Sequence, residues 1–98
     1  MGIMTSPRPT WKPREVHGKL TSAERNDLPD NVFAFPERRA EPLTDAAHVR
    51  TALARFDQVK DVTDADRDLA FENILAAAEH YGVEVSEKSW RELGKPGS

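Results

Sequence analysis

The 98-residue chain has no cysteine, which excludes disulfides, zinc-thiolate sites and thiol chemistry. Hydrophobic residues make up 38% and charged residues 32%, which points to one domain with a small core of about 60 residues. The net charge of −3 is unevenly spread, +3 over residues 1–20, −2 over residues 21–43 and −4 over residues 44–98, a basic arm before an acidic body. Salt screens so small a field within about 8–10 Å.

The order of elements follows from the pattern of caps, prolines and apolar spacing. Residues 1–20 contain Pro7, Pro9 and Pro13 around a single aromatic, Trp11. Proline removes backbone donors and biases its neighbours toward extended backbone, so the segment is predicted to be a disordered arm. The sharper alternative is a peptide-like arm that anchors Trp11 on a partner or on its own domain. Thr21-Ser22-Ala23-Glu24 is a capping box, and Pro29 limits the helix it opens to about Asp27. Val32-Phe33-Ala34-Phe35 alternates, which places Phe33 and Phe35 on one side of a short extended segment. Pro36 ends that run, and it is too short for an independent sheet.

Thr44 or Asp45 caps a helix over about 45–57. Ala46, Val49, Ala52, Leu53 and Phe56 share one arc, while His48, Thr51, Arg55 and Gln58 lie opposite. Thr63-Asp64-Ala65-Asp66 opens a second helix that runs to Tyr81, with Gly82 as a left-handed stop. Its core arc is Ala70, Phe71, Ile74, Ala77, Ala78 and Tyr81, with Leu75 at the edge. A weaker stripe of Leu69, Asn73, Ala76 and His80 points elsewhere, toward residues 28–36, the C-terminal turn or a partner chain. Ser86 caps a short predicted helix over 86–93 that carries Trp90 and Leu93, and 94–98 is a tail.

No catalytic constellation emerges. His17, His48 and His80 lack the i, i+4 pairing of many helical metal sites. Asp57, Asp61, Asp64, Asp66 and Asp68 lack the Gly and the final Glu that close an EF-hand loop. Walker, dinucleotide and nucleophile-elbow glycine motifs do not occur. The expectation is therefore a protein that is not an enzyme and takes no cofactor or metal. No apolar run reaches the roughly 18 residues of a membrane span, so a soluble, cytoplasmic protein is expected. Met1-Gly2-Ile3-Met4-Thr5-Ser6 fits the loose N-myristoylation pattern, with nothing else in the chain to suggest a membrane.

For nucleic acid, the candidate contacts are Arg8, Lys12 and Arg14 in the arm with Arg38, Arg39, Arg50, Arg55 and Lys60 in the body. Asp64, Asp66 and Asp68 at the start of the second helix carry the wrong sign for phosphate, which disfavours groove insertion of that helix.

Leu28-Pro29-Asp30, Phe33-Ala34-Phe35-Pro36-Glu37-Arg38-Arg39, Pro42-Leu43, Asp45-Ala46-Ala47-His48-Val49-Arg50, Ala52-Leu53-Ala54-Arg55-Phe56 and Ala76-Ala77-Ala78 together carry a family likeness. Over roughly residues 20–93 the chain resembles a small module of unknown function found in actinobacterial proteins and their phages, sometimes attached to phage capsid-maturation proteins. The resemblance implies a helical module of bacterial or phage source and brings no catalytic or ligand residues. The fold expected is all-α: an antiparallel helix pair preceded by a short extended aromatic segment and followed by a short C-terminal helix, folded as one domain over residues 21–93. The function expected is protein–protein interaction or self-association, with nucleic-acid contact through the arm and the arginines as the alternative. His48, Arg50, Arg55, Leu69, Asn73 and His80 are the candidate partner contacts.

Overall fold

The computed structural model describes residues 8–93. The myristoylation-like pattern and the 94–98 tail lie outside them. Helix α1 spans Ser22–Asp27, and its predicted capping box is present. Thr21 Oγ1 accepts from the Glu24 amide at 3.1 Å, and the Thr21 amide donates to Glu24 Oε1 at 2.9 Å. Leu28, before Pro29, turns extended and ends the helix. A 3-10 turn over Asp30–Val32 leads into strand β1, Phe33–Phe35, which pairs antiparallel with β2, Ala40–Pro42. The register sets Phe33 opposite Pro42 and Phe35 opposite Ala40.

Helix α2 spans Ala46–Arg55 and continues as a 3-10 turn over Phe56–Gln58. Asp45 is its cap, accepting from the His48 amide at 2.8 Å. Helix α3 spans Asp64–Tyr81, capped reciprocally by Thr63 and Asp66 and stopped by Gly82 at φ 74°. Glycine adopts that left-handed conformation without the penalty a Cβ brings.

The hairpin overturns the expectation of an all-α domain. The fold is mixed α/β: α3 packs on β1 as well as on α2, so β1 is a central element rather than a cover. All three β1 residues are buried. Two features concealed the pairing. Pro42 lies inside the second strand, and the connection carries no Asn-Gly signal. The hairpin instead places Arg39 and Glu41 at φ 49° and 59°, a left-handed region that non-glycine residues rarely occupy. Phe33 and Phe35 also part company. Phe35 joins the main core with Val49, Phe56, Phe71 and Ile74, whereas Phe33 sits in a second cluster with Leu28 and Val32.

The helix expected over 86–93 reduces to a single 3-10 turn, Trp90–Glu92, capped by Ser89 rather than Ser86. Trp90 still closes the core. Its ring stacks on Phe56 at 6.1 Å between centroids, and Nε1 donates to Asp68 Oδ1 at 2.7 Å. Leu53, placed in the core by its helical arc, is half-buried at the rim, while Ala52 beside it is fully buried.

Residues 8–20, predicted to be a disordered arm, form no helix or strand but lie along the body. Trp11 is buried, and its indole Nε1 donates to the Leu43 carbonyl at 3.2 Å. The Lys12 amide donates to the Asn31 carbonyl at 2.9 Å, the Val16 amide to the Thr44 carbonyl at 3.0 Å, and the Gly18 amide to Asp45 Oδ2 at 3.0 Å.

Candidate functional site

The clearest surface feature is a cleft of about 480 Å³ between the end of the arm, α1, β2 and the outer face of α2. Glu41 lies in it among Lys19, Arg25, His48, Thr51 and Arg55. A second depression of about 420 Å³ shares Glu41 and Arg55 and extends the groove past Arg38 and Lys60. Only the polar face of α2 was available for such a groove, because Val49, Ala52 and Phe56 turn the other face into the core.

Glu41 is unusual in three respects. Its backbone is left-handed, a conformation that costs an L-residue about 1–2 kcal/mol. Its side chain makes no hydrogen bond or ion pair among the described residues. Burial raises its carboxyl above the ordinary value, against the lowering pull of Arg55, Arg25 and His48. A strained, partly desolvated and unpaired charge in a cleft is a mark of a functional position.

His48 stands beside it in a fixed pose. Its Nδ1 lies 2.7 Å from Asp45 Oδ1 and 3.3 Å from Thr44 Oγ1. Burial works to raise the Asp45 carboxyl, but hydrogen bonds from the His48 and Gly18 amides and from the His48 ring bring it below its ordinary value. Asp45 therefore caps α2, orients His48 and holds the arm at Gly18. That network explains His48 structurally, although its ring still lines the cleft.

The other sequence candidates scatter. Arg55 is in the cleft; Arg50 is exposed and lines neither depression. Asn73 is fully buried, covered by the arm, and binds Ala34 and the amides of Thr10 and Trp11. Leu69 is half-buried beside a separate 220 Å³ pocket with Phe35, Pro36 and Asp66. His80 is exposed and packs edge-on against Trp11 at 5.5 Å. Arg39 is engaged within the fold. It donates to the Leu28 and Arg25 carbonyls at 2.9 Å and to Asp30 at 2.7 Å, and it covers the Phe33 ring at 4.6 Å. Arg38 pairs with Asp61 at 3.4 Å, while Arg8, Lys12 and Arg14 are exposed on the arm. Lys19, Arg25 and Glu41 escaped the sequence reading because only the hairpin and the docked arm bring them to α2.

The model of the Family of unknown function (DUF6582) matches residues 18–88. The chain belongs to this family. The match begins at Gly18, where the arm meets Asp45, and spans both the hairpin and the two long helices. No curated protein and no solved structure matches the chain. No helix among the described residues is long and apolar enough to cross a membrane.

Proposed function

We propose that this domain is a non-enzymatic protein-interaction module that takes an acidic segment of a partner chain in the Glu41 cleft. In line with its resemblance to actinobacterial and phage modules, we place it as an accessory part of bacterial or phage proteins. The observation that carries the reading is the unpaired, half-buried Glu41 carboxylate inside a rim of Lys19, Arg25 and Arg55. The rim attracts anions. Glu41 opposes an unbroken run of them and needs a hydrogen-bond donor.

A peptide meets both demands. Its side-chain carboxylates face Lys19 and Arg55, beside an Arg25 that donates to the Arg39 carbonyl, and its backbone N–H groups reach Glu41. A phosphodiester backbone offers acceptors alone and sets a charge against Glu41. Of the nucleic-acid candidates, Arg39 is held inside the fold by the Leu28 carbonyl and Asp30. The protein partner is thus favoured over nucleic acid.

Backbone NMR shifts recorded while a synthetic Asp/Glu-rich peptide is added test the proposal. Shifts centred on Lys19, Glu41, Thr51 and Arg55 are expected, with a neutral peptide of equal length giving none. Random-sequence duplex DNA that bound more tightly, with affinity falling steeply in salt through counterion release, would overturn the choice of partner.

A further inference from the structure

The groove that holds Trp11 has the build of a peptide-binding site. Asn73 Oδ1 accepts the amides of Thr10 at 2.7 Å and Trp11 at 3.0 Å, while its Nδ2 donates to the Ala34 carbonyl at 2.9 Å. One buried amide thereby ties the arm to β1. The indole fills the space beside Leu43 and meets His80 and Tyr81 edge-on at 5.5 and 5.8 Å. Pro9 and Pro13 flank this anchor and restrict the unbound segment to extended backbone, which lowers the entropy lost on docking.

The arm is recognised through its main chain and one ring, whereas Lys12, Arg14, Glu15 and His17 stay exposed. Its anchor point is remote in sequence, Asn73 lying 62 positions after Trp11. Nothing in these contacts requires the arm and the groove to belong to one chain. The hinge is short: Gly18 at φ 81°, then Lys19 and Leu20, before the Thr21 cap.

We infer that the groove between α3, β1 and Leu43 is an exchangeable site for the Trp11 segment, filled by its own arm and open to the arm of a second copy. Two copies that trade arms form a symmetric dimer in which the Thr10, Trp11 and Lys12 contacts are kept. The short tether holds the cis arm at an effective concentration of about millimolar, so exchange becomes populated only as protein concentration approaches that range. This inference does not depend on the Glu41 cleft.

The test uses the full chain carrying Trp11→Ala and a fluorescent peptide of residues 8–19. Saturable binding is expected, weakened about tenfold or more both for the peptide with Ala at the Trp11 position and for the wild-type chain, whose groove is occupied. Equal binding by the two peptides, or by the two proteins, would overturn the site. A peptide with scrambled flanks around Trp11 that bound as well as the native one would show that the groove reads the indole alone, and would overturn the second-copy assignment. A companion measurement needs no substitution: isotopically heavy and light wild-type chains are mixed at about millimolar concentration and examined by native mass spectrometry. Mixed heavy–light dimers are expected, and monomers alone would overturn the exchange.

Discussion

The side-chain oxygen of Asn73 accepts the amide of Trp11 at 3.0 Å, joining the middle of the longest helix to the N-terminal arm. Asn73 is fully buried, and the groups it serves lie on β1 and on the arm, so its loss strands partners on both. Asn73→Ala is expected to cost about 2–4 kcal/mol, because each buried group left unpaired costs about 1–3. Urea unfolding checks it. A midpoint equal to wild type would mean that the arm is not held there.

Trp11→Ala is expected to destabilise the fold by about 2–4 kcal/mol, near the lower part of the range for large aromatics because the ring sits at the edge of the core. Removal of residues 1–19 is expected to lower the melting temperature as well. A free arm, as the composition of residues 1–20 suggested, would make both changes silent. Differential scanning fluorimetry distinguishes the two.

Phe56 and Leu53 should part in the same assay. Phe56 is fully buried between Phe35, Phe71 and Trp90, so Phe56→Ala is expected to cost about 3–5 kcal/mol. Leu53 is half-buried and its replacement should cost about 1–2, less than a full core leucine. The reverse order would contradict the observed face of α2.

Asp45 has a lowered folded-state value, so its contribution is present above the unfolded carboxyl value and lost as pH falls through the folded one. Amide exchange at Gly18, whose N–H Asp45 accepts, is expected to lose protection only in acid below the ordinary aspartate range, while the centre of α3 stays protected. Simultaneous loss at both sites would show that Asp45 does not control the arm locally.

Glu41 has the opposite sign. Its raised value means that the folded state favours the protonated form, so the stability linked to it is present at low pH and lost as pH rises through the folded value. Glu41→Gln is therefore expected to be more stable than wild type at pH 7, by less than about 1 kcal/mol because water still screens the group. The gain should shrink in acid. A variant less stable at pH 7 would mean that the charge is internally useful.

Much of the helical framework was legible before the structure. Thr21 with Glu24 and Thr63 with Asp66 announce helix starts, Gly82 announces a stop, and the arcs through Val49–Phe56 and Ala70–Tyr81 face inward. These signals are local, and local rules suffice for them. The hairpin was not legible, because it relies on left-handed Arg39 and Glu41 instead of glycine, held by the Arg39 hydrogen bonds to Leu28, Asp30 and Arg25 and by the packing of β2 on α2. Asn73 looked like a partner contact for a related reason. A polar residue on a second stripe marks a second contact, but its spacing does not say whether that contact comes from the same chain. The cleft was half legible: His48 and Arg55 stood out as residues burial could not explain, whereas Glu41 sat inconspicuously between Ala40 and Pro42.

The most direct test of the interaction cleft is the affinity of the Asp/Glu-rich peptide for a variant carrying Lys19→Gln and Arg55→Gln. Both residues are exposed, so the fold should be retained, and Arg50→Gln, exposed outside the cleft, is the matched control. Binding by the double variant is expected to be about tenfold weaker, roughly 0.7 kcal/mol for each charge, with a shallower salt dependence and an unchanged control. Equal affinities for wild type, double variant and control would contradict the interaction cleft.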